Sequence, residues 1–490
     1  MAYNVQTISR QIYNAISSNR TTWLIIALFV AQCVWLAFTM LYPSPYDESY
    51  HYALIDLYTN QYGPFVSEQP DSVAALGDIT RNASFLFHYL LSFPARILGY
   101  IIQGNSLIVL LRIINIAFVA SGLFIFVRLF RRIGATRGVI NITLLAVIMI
   151  PIFSLTAATI NYDNLLFLLV AVSLLLAQDL YVKRGNMFSR LALLVLVSMS
   201  ALMVKFTFLP FIAAIFGFLF YHFLSNRTTY LTTFKRHARK VSVTQKTLFA
   251  LATCLLIFCG VMTYGVNIVQ YQKITPRCEQ VQPVSVCSQS YVWSREKRIQ
   301  SEPKATSYDP VRYTLYYWLD SMSNNAVSTG ANTSEGGFDA AASPIILYYA
   351  MWFYLMTGIV LFLCFAREIA RKHKIGLILT VLIVYSFIVW LYLYQSYSSL
   401  GSALALQPRY LLPVIPIFLL FATWAWARLL RNHVTIGVAC ILIAILLLLQ
   451  GGGILTYLVS SKPTWYFQVR IVKQLNYKAQ RAAEQIIIGR

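Results

Sequence analysis

The fold is decided by long apolar runs, and the first of them, residues 21–42, reads TTWLIIALFVAQCVWLAFTMLY. It contains no charged residue over a length that crosses the hydrocarbon core of a bilayer as a helix. Hydrophobic residues make up 58% of the 490-residue chain and charged residues only 11%, which is too apolar for a soluble protein. The run lacks a small-residue cleavage site and leads to further runs, so we expect a retained spanning helix and not a cleaved signal.

Similar runs recur along the chain and predict an all-α polytopic membrane protein with about eleven spanning helices. We place these helices at residues 21–42, 106–130, 138–155, 165–182, 188–204, 206–224, 247–270, 344–366, 375–395, 410–427 and 434–457. The expected organisation is a cytoplasmic N-terminus (1–20), a transmembrane core (21–270) with an outer loop (43–105), a large outer loop (271–343), C-terminal spanning helices (344–457) and a basic tail (458–490).

The basic residues orient the chain, because short cytoplasmic loops are enriched in Lys and Arg. Under the resulting topology only Asp179 and Glu368 of the 17 acidic residues lie inside. The net charge of +22 is then an orienting charge that contacts anionic membrane lipids, and we expect no nucleic-acid binding. The basic tail is an exception, since eleven spans place it outside.

The two long outer segments hold most of the residues outside the spans. In the first, residues 47–61 and 81–100 predict helices along the membrane interface. In the second, residues 311–322 predict a helix, and the Gly-, Ser- and Asn-rich residues 328–338 predict a mobile segment. Cys278 and Cys287 also lie there, and either a short disulfide loop suited to an oxidising exterior or two free thiols fits their spacing.

The segment SPYDESYHY, residues 44–52, follows the first run and has two explanations. Ser44 as N-cap, Pro45 in the first helical position and Asp47 three residues on form a capping box. One acid closes such a box, however, which leaves Glu48 and His51 unexplained. In a helix from Pro45, Asp47 and His51 share one face and are placed for chemistry.

Three further charged positions each have a structural and a functional explanation. Asp163 follows Asn161 and is either part of an outer turn or a site acid. Lys205 interrupts an apolar stretch and either extends to the interface or faces an anion. Arg409, in QPRYLLPVIP, opens a predicted span at the end where the helix dipole disfavours a cation, which favours an anionic partner such as phosphate.

Taken in order and on one side of the membrane, these pieces resemble the GT-C superfamily of integral-membrane glycosyltransferases. The pieces are P-x-DE-x-x-H, the acid at the next outer turn, the lysine between two spans and RYLLP at 409–413. That superfamily uses polyprenyl-phosphate-linked sugars and includes protein O-mannosyltransferases and aminoarabinose transferases. The chain departs from its better-known members in lacking a large C-terminal outer domain and an HPP-type signature, with FLFHYL around His88 instead.

The resemblance implies a GT-C-like bundle and an inverting transfer from a polyprenyl-phosphate sugar to a lipid, glycan or protein acceptor. It implies a site facing outward from a bacterial plasma membrane. The expected roles are catalysis for Asp47 and Glu48, orientation of base or acceptor for His51, Asp163 and His88, and donor phosphate binding for Arg409, Lys205 and Tyr410. No cofactor is required, although the acids are suitable ligands for a divalent metal.

Two other functions remain open at this point. A transporter or lipid flippase also uses isolated charges near membrane depth, but those charges are spread through the spans. A GT-C-like polysaccharide ligase or polymerase would use a diphosphate-linked glycan in place of a monophosphate donor.

Overall fold

A computed structural model of the protein describes residues 10–44, 47–81, 84–301, 309–327, 343–402, 406–430 and 433–488. Within these ranges the structure contains no β-strand, and extended segments meet only in an isolated antiparallel bridge between Met40 and Tyr466. The predicted all-α fold class is therefore confirmed.

Among the described residues, nine helical segments are long and apolar enough to cross a membrane. They are Asn19–Thr39, Asn105–Arg132, Tyr162–Tyr181, Met187–Val204, Phe206–Ser225, Val243–Tyr271, Ile345–Arg371, Gly376–Leu400 and Gly437–Ser460. Further helices are Glu48–Thr59, Leu86–Gly99, Arg137–Ile148, Pro151–Ala157, Arg227–Arg239, Cys278–Val281, Val284–Cys287, Tyr291–Ser301, Leu319–Val327, Ile415–Leu429 and Arg470–Ile488. The chain is a polytopic membrane protein.

The expected count of eleven spans is not confirmed, because two of the apolar runs form shorter helices. The run at 138–155 divides into Arg137–Ile148 and Pro151–Ala157, which meet at 76°. Proline suits the first turn of a helix but not its interior, so Pro151 starts a new helix. The run at 410–427 becomes a 3-10 turn, Pro408–Leu411, followed by the short helix Ile415–Leu429.

The central helices are held together by close backbone approach. A Cβ atom at Gly122 would lie 2.5 Å from the Phe167 ring, where Asn105–Arg132 crosses Tyr162–Tyr181. Gly358 similarly approaches Ala422, at 2.6 Å, where Ile345–Lys372 packs on Ile415–Leu429. Small residues allow such contacts between membrane helices, which have little hydrophobic driving force between them.

Both outer segments contain helices near their expected positions. Glu48–Thr59 and Leu86–Gly99 form in the first. In the second, residues 311–322 are helical through a π-helical turn, Tyr313–Trp318, that leads into Leu319–Val327. The segment 328–338, which the sequence predicts to be mobile, lies outside the described residues.

The chain beyond the last span returns to the end of the first span. The Leu41 N–H donates to the Trp465 carbonyl at 2.7 Å, and the Phe467 N–H donates to the Thr39 carbonyl at 2.9 Å. The start of the basic tail therefore lies at the same end of the bundle as Asp47, and the helix Arg470–Ile488 follows it.

Candidate functional site

The helix that carries the acidic pair begins at Glu48, so the expected start at Pro45 and the capping box closed by Asp47 are wrong. Asp47 is the N-cap, in the left-handed region at φ 67°, and its side chain makes no capping hydrogen bond. The Ser44 N–H instead donates to the Glu48 carboxylate at 2.8 Å. Pro45 itself lies outside the described residues. The Asp47 carboxylate is thus directed away from the helix terminus and is available to other groups.

Glu48 is fully buried and forms an ion pair with Arg112, which is also fully buried. Its oxygens accept from Arg112 Nε (2.8 Å) and Nη2 (2.7 Å) and from the backbone N–H groups of Ser44 and Ile160. Burial by itself would raise the pKa of this carboxyl, but Arg112 and the backbone donors outweigh it and lower the pKa. The expected catalytic role for Glu48 is not supported, since its hydrogen-bonding capacity is already used. A positioning role fits.

Arg112 connects this acid to the end of the first span. Its Nη1 donates to the carbonyls of Ala37 and Met40, and its Nη2 donates to the carbonyl of Leu41. With the two bonds to Glu48, the guanidinium uses all five of its N–H donors. The pair holds together the first span, the segment leading to Asp47 and the turn at Ile160.

Asp47 and Arg409 lie 362 residues apart in sequence and form an ion pair, with Oδ2 and Nη2 at 2.6 Å. The Asp47 side chain is 54% exposed, whereas that of Arg409 is 7% exposed. Arg409 does not open a spanning helix as expected, because it belongs to the 3-10 turn Pro408–Leu411. The turn places a buried cation against the open carboxylate.

A second ion pair joins Lys205 and Asp163, with Nζ and Oδ1 at 2.6 Å. Both residues are buried, so extension of Lys205 to the membrane interface is excluded. Asn161 is the N-cap and accepts from the Asp163 N–H at 2.9 Å, which leaves the Asp163 carboxylate for the lysine. Lys205 Nζ also lies 4.4 Å from the centre of the Tyr162 ring and 5.0 Å from that of Tyr410. These aromatic faces favour a cation.

His51 and His88 form a buried pair behind the start of the helix. Nδ1 of His51 lies 2.9 Å from Nε2 of His88, and Nδ1 of His88 lies 3.1 Å from the Ser84 carbonyl oxygen. Burial lowers the pKa of His88 to about 3. Burial, together with the nearby His88, Arg409 and Lys205, lowers the pKa of His51 well below its usual value. Both imidazoles are neutral at physiological pH.

A cavity of about 480 Å³ opens beside Asp47. Its walls come from the start of the Glu48–Thr59 helix, from residues 76–81 and Ser84, from Tyr162 and from residues 275–300. Cys278 and Cys287, whose pairing the sequence leaves open, are joined in a disulfide that shapes the last wall. Asp47, His51 and Tyr162 line the cavity, and the cations Arg409 and Lys205 contact Asp47 and Tyr162 respectively.

The structure therefore brings together Asp47, His51, Asp163, Lys205, Arg409 and Tyr410 and places His88 directly behind His51. Within the described ranges, no group of three or more His, Cys, Asp or Glu side chains is arranged to hold a metal ion. Asp47 and Asp163, the acids considered as metal ligands, each contact a cationic side chain instead.

Arg112 is the main residue that sequence reasoning missed. Its signal is a charged residue in the first third of the apolar run 106–130, far from Arg128 at the basic end of the run, and ionisable residues inside membrane helices usually have a specific partner. Arg81, in a turn, and Trp293, in the helix Tyr291–Ser301, also line the cavity, and no pattern in the sequence indicated them. Comparison with known proteins assigns no family to this arrangement: no protein-family model matches the chain, and no curated protein matches it significantly.

Proposed function

We propose that the chain is an inverting glycosyltransferase that moves a sugar from a polyprenyl-phosphate donor to an acceptor at the outer face of a bacterial plasma membrane. The observation that carries this proposal is the position of Asp47, which lines the cavity and contacts Arg409 at 2.6 Å. A carboxylate between an acceptor cavity and a cation that can receive phosphate suits a single displacement. The resemblance of the ordered motifs to the GT-C superfamily supports the same function.

In the proposed reaction Asp47 takes the proton of an acceptor hydroxyl as its oxygen attacks the anomeric carbon. The new carbon–oxygen bond forms on the face opposite the phosphate, and the bond from that carbon to the phosphate oxygen breaks, which inverts the configuration. Polyprenyl phosphate leaves with the bonding electron pair. A phosphate leaving group needs positive charge and not a strong acid, and Arg409 supplies that charge. The proton on Asp47 is released to water, which reaches its exposed side chain.

The Asp47–Arg409 pair implies that the donor binds before Asp47 deprotonates the acceptor. While the carboxylate contacts the guanidinium, one of its oxygens is held in the ion pair. A donor phosphate competes for the same guanidinium and can bind it through two N–H donors. When phosphate replaces the carboxylate at Arg409, both oxygens of Asp47 are free to accept the proton of the acceptor hydroxyl. Donor binding thus activates the group that deprotonates the acceptor.

Tyr410 links the two cations expected at the phosphate. Its ring centre lies 5.7 Å from the Arg409 guanidinium carbon and 5.0 Å from Lys205 Nζ. Its backbone carbonyl accepts from the Tyr385 hydroxyl at 2.9 Å, which anchors the turn. We assign Arg409 to the donor phosphate and Lys205 to a supporting position, with Asp163 holding Lys205 in place.

The presence of two cations also favours a second candidate. Arg409 and Lys205, both near the Tyr410 ring, suit the two phosphates of a diphosphate-linked glycan, the donor of a polysaccharide ligase or polymerase. A transporter or flippase has less support, because all ion pairs of the described residues lie near one end of the bundle or the other.

The test is donor consumption by purified protein in lipid nanodiscs, supplied with radiolabelled polyprenyl-monophosphate sugars in one arm and diphosphate-linked glycans in another. We expect the unmodified protein to consume a monophosphate donor. Arg409→Ala should weaken donor binding about tenfold to a hundredfold, because a charge-assisted hydrogen bond contributes about 1.5–3 kcal/mol.

Arg312→Ala is the matched control, since Arg312 is an exposed arginine of the second outer segment. Unchanged donor affinity in Arg409→Ala would remove this residue from the phosphate site. Consumption of the diphosphate-linked glycan alone would select the second candidate.

A further inference from the structure

We propose that the acceptor is a saccharide bound in the cavity beside Asp47, and that Nε2 of His51 accepts a hydrogen bond from a second hydroxyl of that saccharide. This inference rests on the proposed glycosyltransferase function and specifies its acceptor class. Two observations support it: Nε2 of His51 is a hydrogen-bond acceptor, and the residues that line the cavity suit a neutral polyhydroxyl ligand.

The tautomers of the two histidines follow from their partners. The Ser84 carbonyl can only accept, so Nδ1 of His88 carries a proton and its Nε2, in a neutral ring, carries a lone pair. Nδ1 of His51, 2.9 Å from that lone pair, must then donate. The remaining nitrogen of His51, Nε2, is therefore a bare acceptor.

Nε2 of His51 is buried and has no hydrogen-bond partner among the described residues. A buried polar atom without a partner is costly, so such an atom beside a cavity indicates a group that arrives with the ligand. His51 lines the same cavity as Asp47, one helical turn away. The cavity thus presents two acceptors, the Asp47 carboxylate and the His51 imidazole, and a single hydroxyl can satisfy only one of them. A saccharide offers neighbouring hydroxyls for both.

The walls of the cavity suit a neutral polyhydroxyl ligand. Charged groups of both signs line it in nearly equal number, which disfavours both an apolar tail and a strongly anionic ligand. They are the carboxylates of Asp47, Asp78, Glu279 and Glu296 and the cations of Arg81, Arg277 and Lys297.

Trp293 adds an aromatic ring that is fixed in place. Its Nε1 donates to Glu279 at 2.7 Å, and Lys297 lies 3.3 Å from the same carboxylate and 5.4 Å from the centre of the indole. The fixed indole offers a flat apolar surface, and the neighbouring Glu279 and Lys297 offer hydrogen bonds. A sugar ring can use both, because it has apolar C–H groups on its face and hydroxyl groups at its edge.

The test supplies the nanodisc-embedded protein and a radiolabelled polyprenyl-monophosphate sugar with three acceptors: short oligosaccharides, Ser- and Thr-containing peptides, and water alone. We expect transfer to an oligosaccharide. His51→Phe should raise the acceptor KM about tenfold, as expected for one hydrogen bond, while His51→Gln, which restores an acceptor oxygen, should recover part of it. His222→Phe is the matched control, because His222 packs on Tyr181 at the opposite end of the bundle.

A monodeoxy form of the accepted saccharide identifies the hydroxyl. If His51 contacts it, removing that hydroxyl and removing the imidazole should each weaken binding, and the two losses should not add. Fully additive losses would overturn the contact. Transfer to peptides and not to saccharides would overturn the acceptor class while leaving the glycosyltransferase function intact. No donor consumption in any arm would overturn that function and this inference with it.

A substrate-free measurement tests the tautomers. The chain has six histidines, so ¹⁵N-histidine labelling gives a spectrum simple enough to assign with His51→Phe and His88→Phe. Because burial lowers both pKa values, we expect two neutral rings protonated on Nδ1 at pH 7. A proton on Nε2 of His51 at pH 7 would overturn the proposed contact.

Discussion

Asp47 and Glu48 are adjacent carboxylates with opposite surroundings. Asp47 is half exposed at the edge of a cavity, whereas Glu48 is fully buried with every oxygen bonded. The left-handed backbone at Asp47 separates them, because it turns one side chain outward as the helix begins with the other. At the scale of the residue, one acid is available for chemistry and the other holds it in place.

Replacement of Glu48 by Gln should destabilise the protein strongly. The amide keeps the shape but removes the charge, which leaves Arg112 cationic and buried without an anion. Removing one partner of a buried pair costs about 3–5 kcal/mol. We expect the apparent unfolding midpoint in detergent to fall markedly, and proton transfer at Asp47 to be lost with it.

The control for this prediction is Glu368→Gln, because Glu368 pairs with Arg428 where both side chains are about half exposed. Pairs of that kind contribute about 0–1 kcal/mol. If Glu48→Gln shifted the midpoint no more than Glu368→Gln, the positioning role of the Glu48–Arg112 pair would be contradicted.

At the scale of the element, the site depends on where helices end. Asp47 precedes one helix, Lys205 caps the end of Met187–Val204, Asp163 lies in the first turn of Tyr162–Tyr181, and Arg409 lies in a turn before a helix. The close packing of Asn105–Arg132 on Tyr162–Tyr181 at Gly122 positions the Asp163 end relative to Arg112, which holds the start of the helix after Asp47 through Glu48.

Gly122→Leu should separate those two helices and weaken the site. The added side chain has no space beside Phe167, and overpacking costs about 1–3 kcal/mol. We expect a lower unfolding midpoint and slower donor turnover. Gly217→Leu is the control, since nothing lies within 4 Å of a Cβ at Gly217. Equal effects of the two substitutions would show that the Gly122 contact does not position the site.

The sequence predicted the helices well and their ends poorly. Apolar runs of bilayer length identify spans through composition alone, so the class of fold was accessible. The start of the helix at Glu48 was not predictable from the sequence. The Ser44 N–H donates to the Glu48 carboxylate, and the position of that carboxylate depends on Arg112. The contacts of Asp47 with Arg409 and of Asp163 with Lys205 join segments far apart in sequence, and no local pattern specifies them.

At the scale of the whole molecule, charge is segregated to the two ends of the bundle. One end holds Asp47, Asp163, Lys205 and Arg409, and the other holds Asp179 between Arg132 and Arg190. The first end has the cavity, the disulfide and the start of the tail. This asymmetry suits a reaction at one membrane face between a lipid-borne donor and an acceptor that enters from water.

The proposed role of Asp47, removal of the acceptor proton, is tested by single-turnover sugar transfer by Asp47→Asn in nanodiscs with saturating donor. The matched control is Asp56→Asn, an exposed acid on the same helix. We expect Asp47→Asn to bind donor but to transfer sugar about a hundredfold or more slowly, while Asp56→Asn transfers it normally. Transfer by correctly folded Asp47→Asn at the unmutated rate would contradict that role.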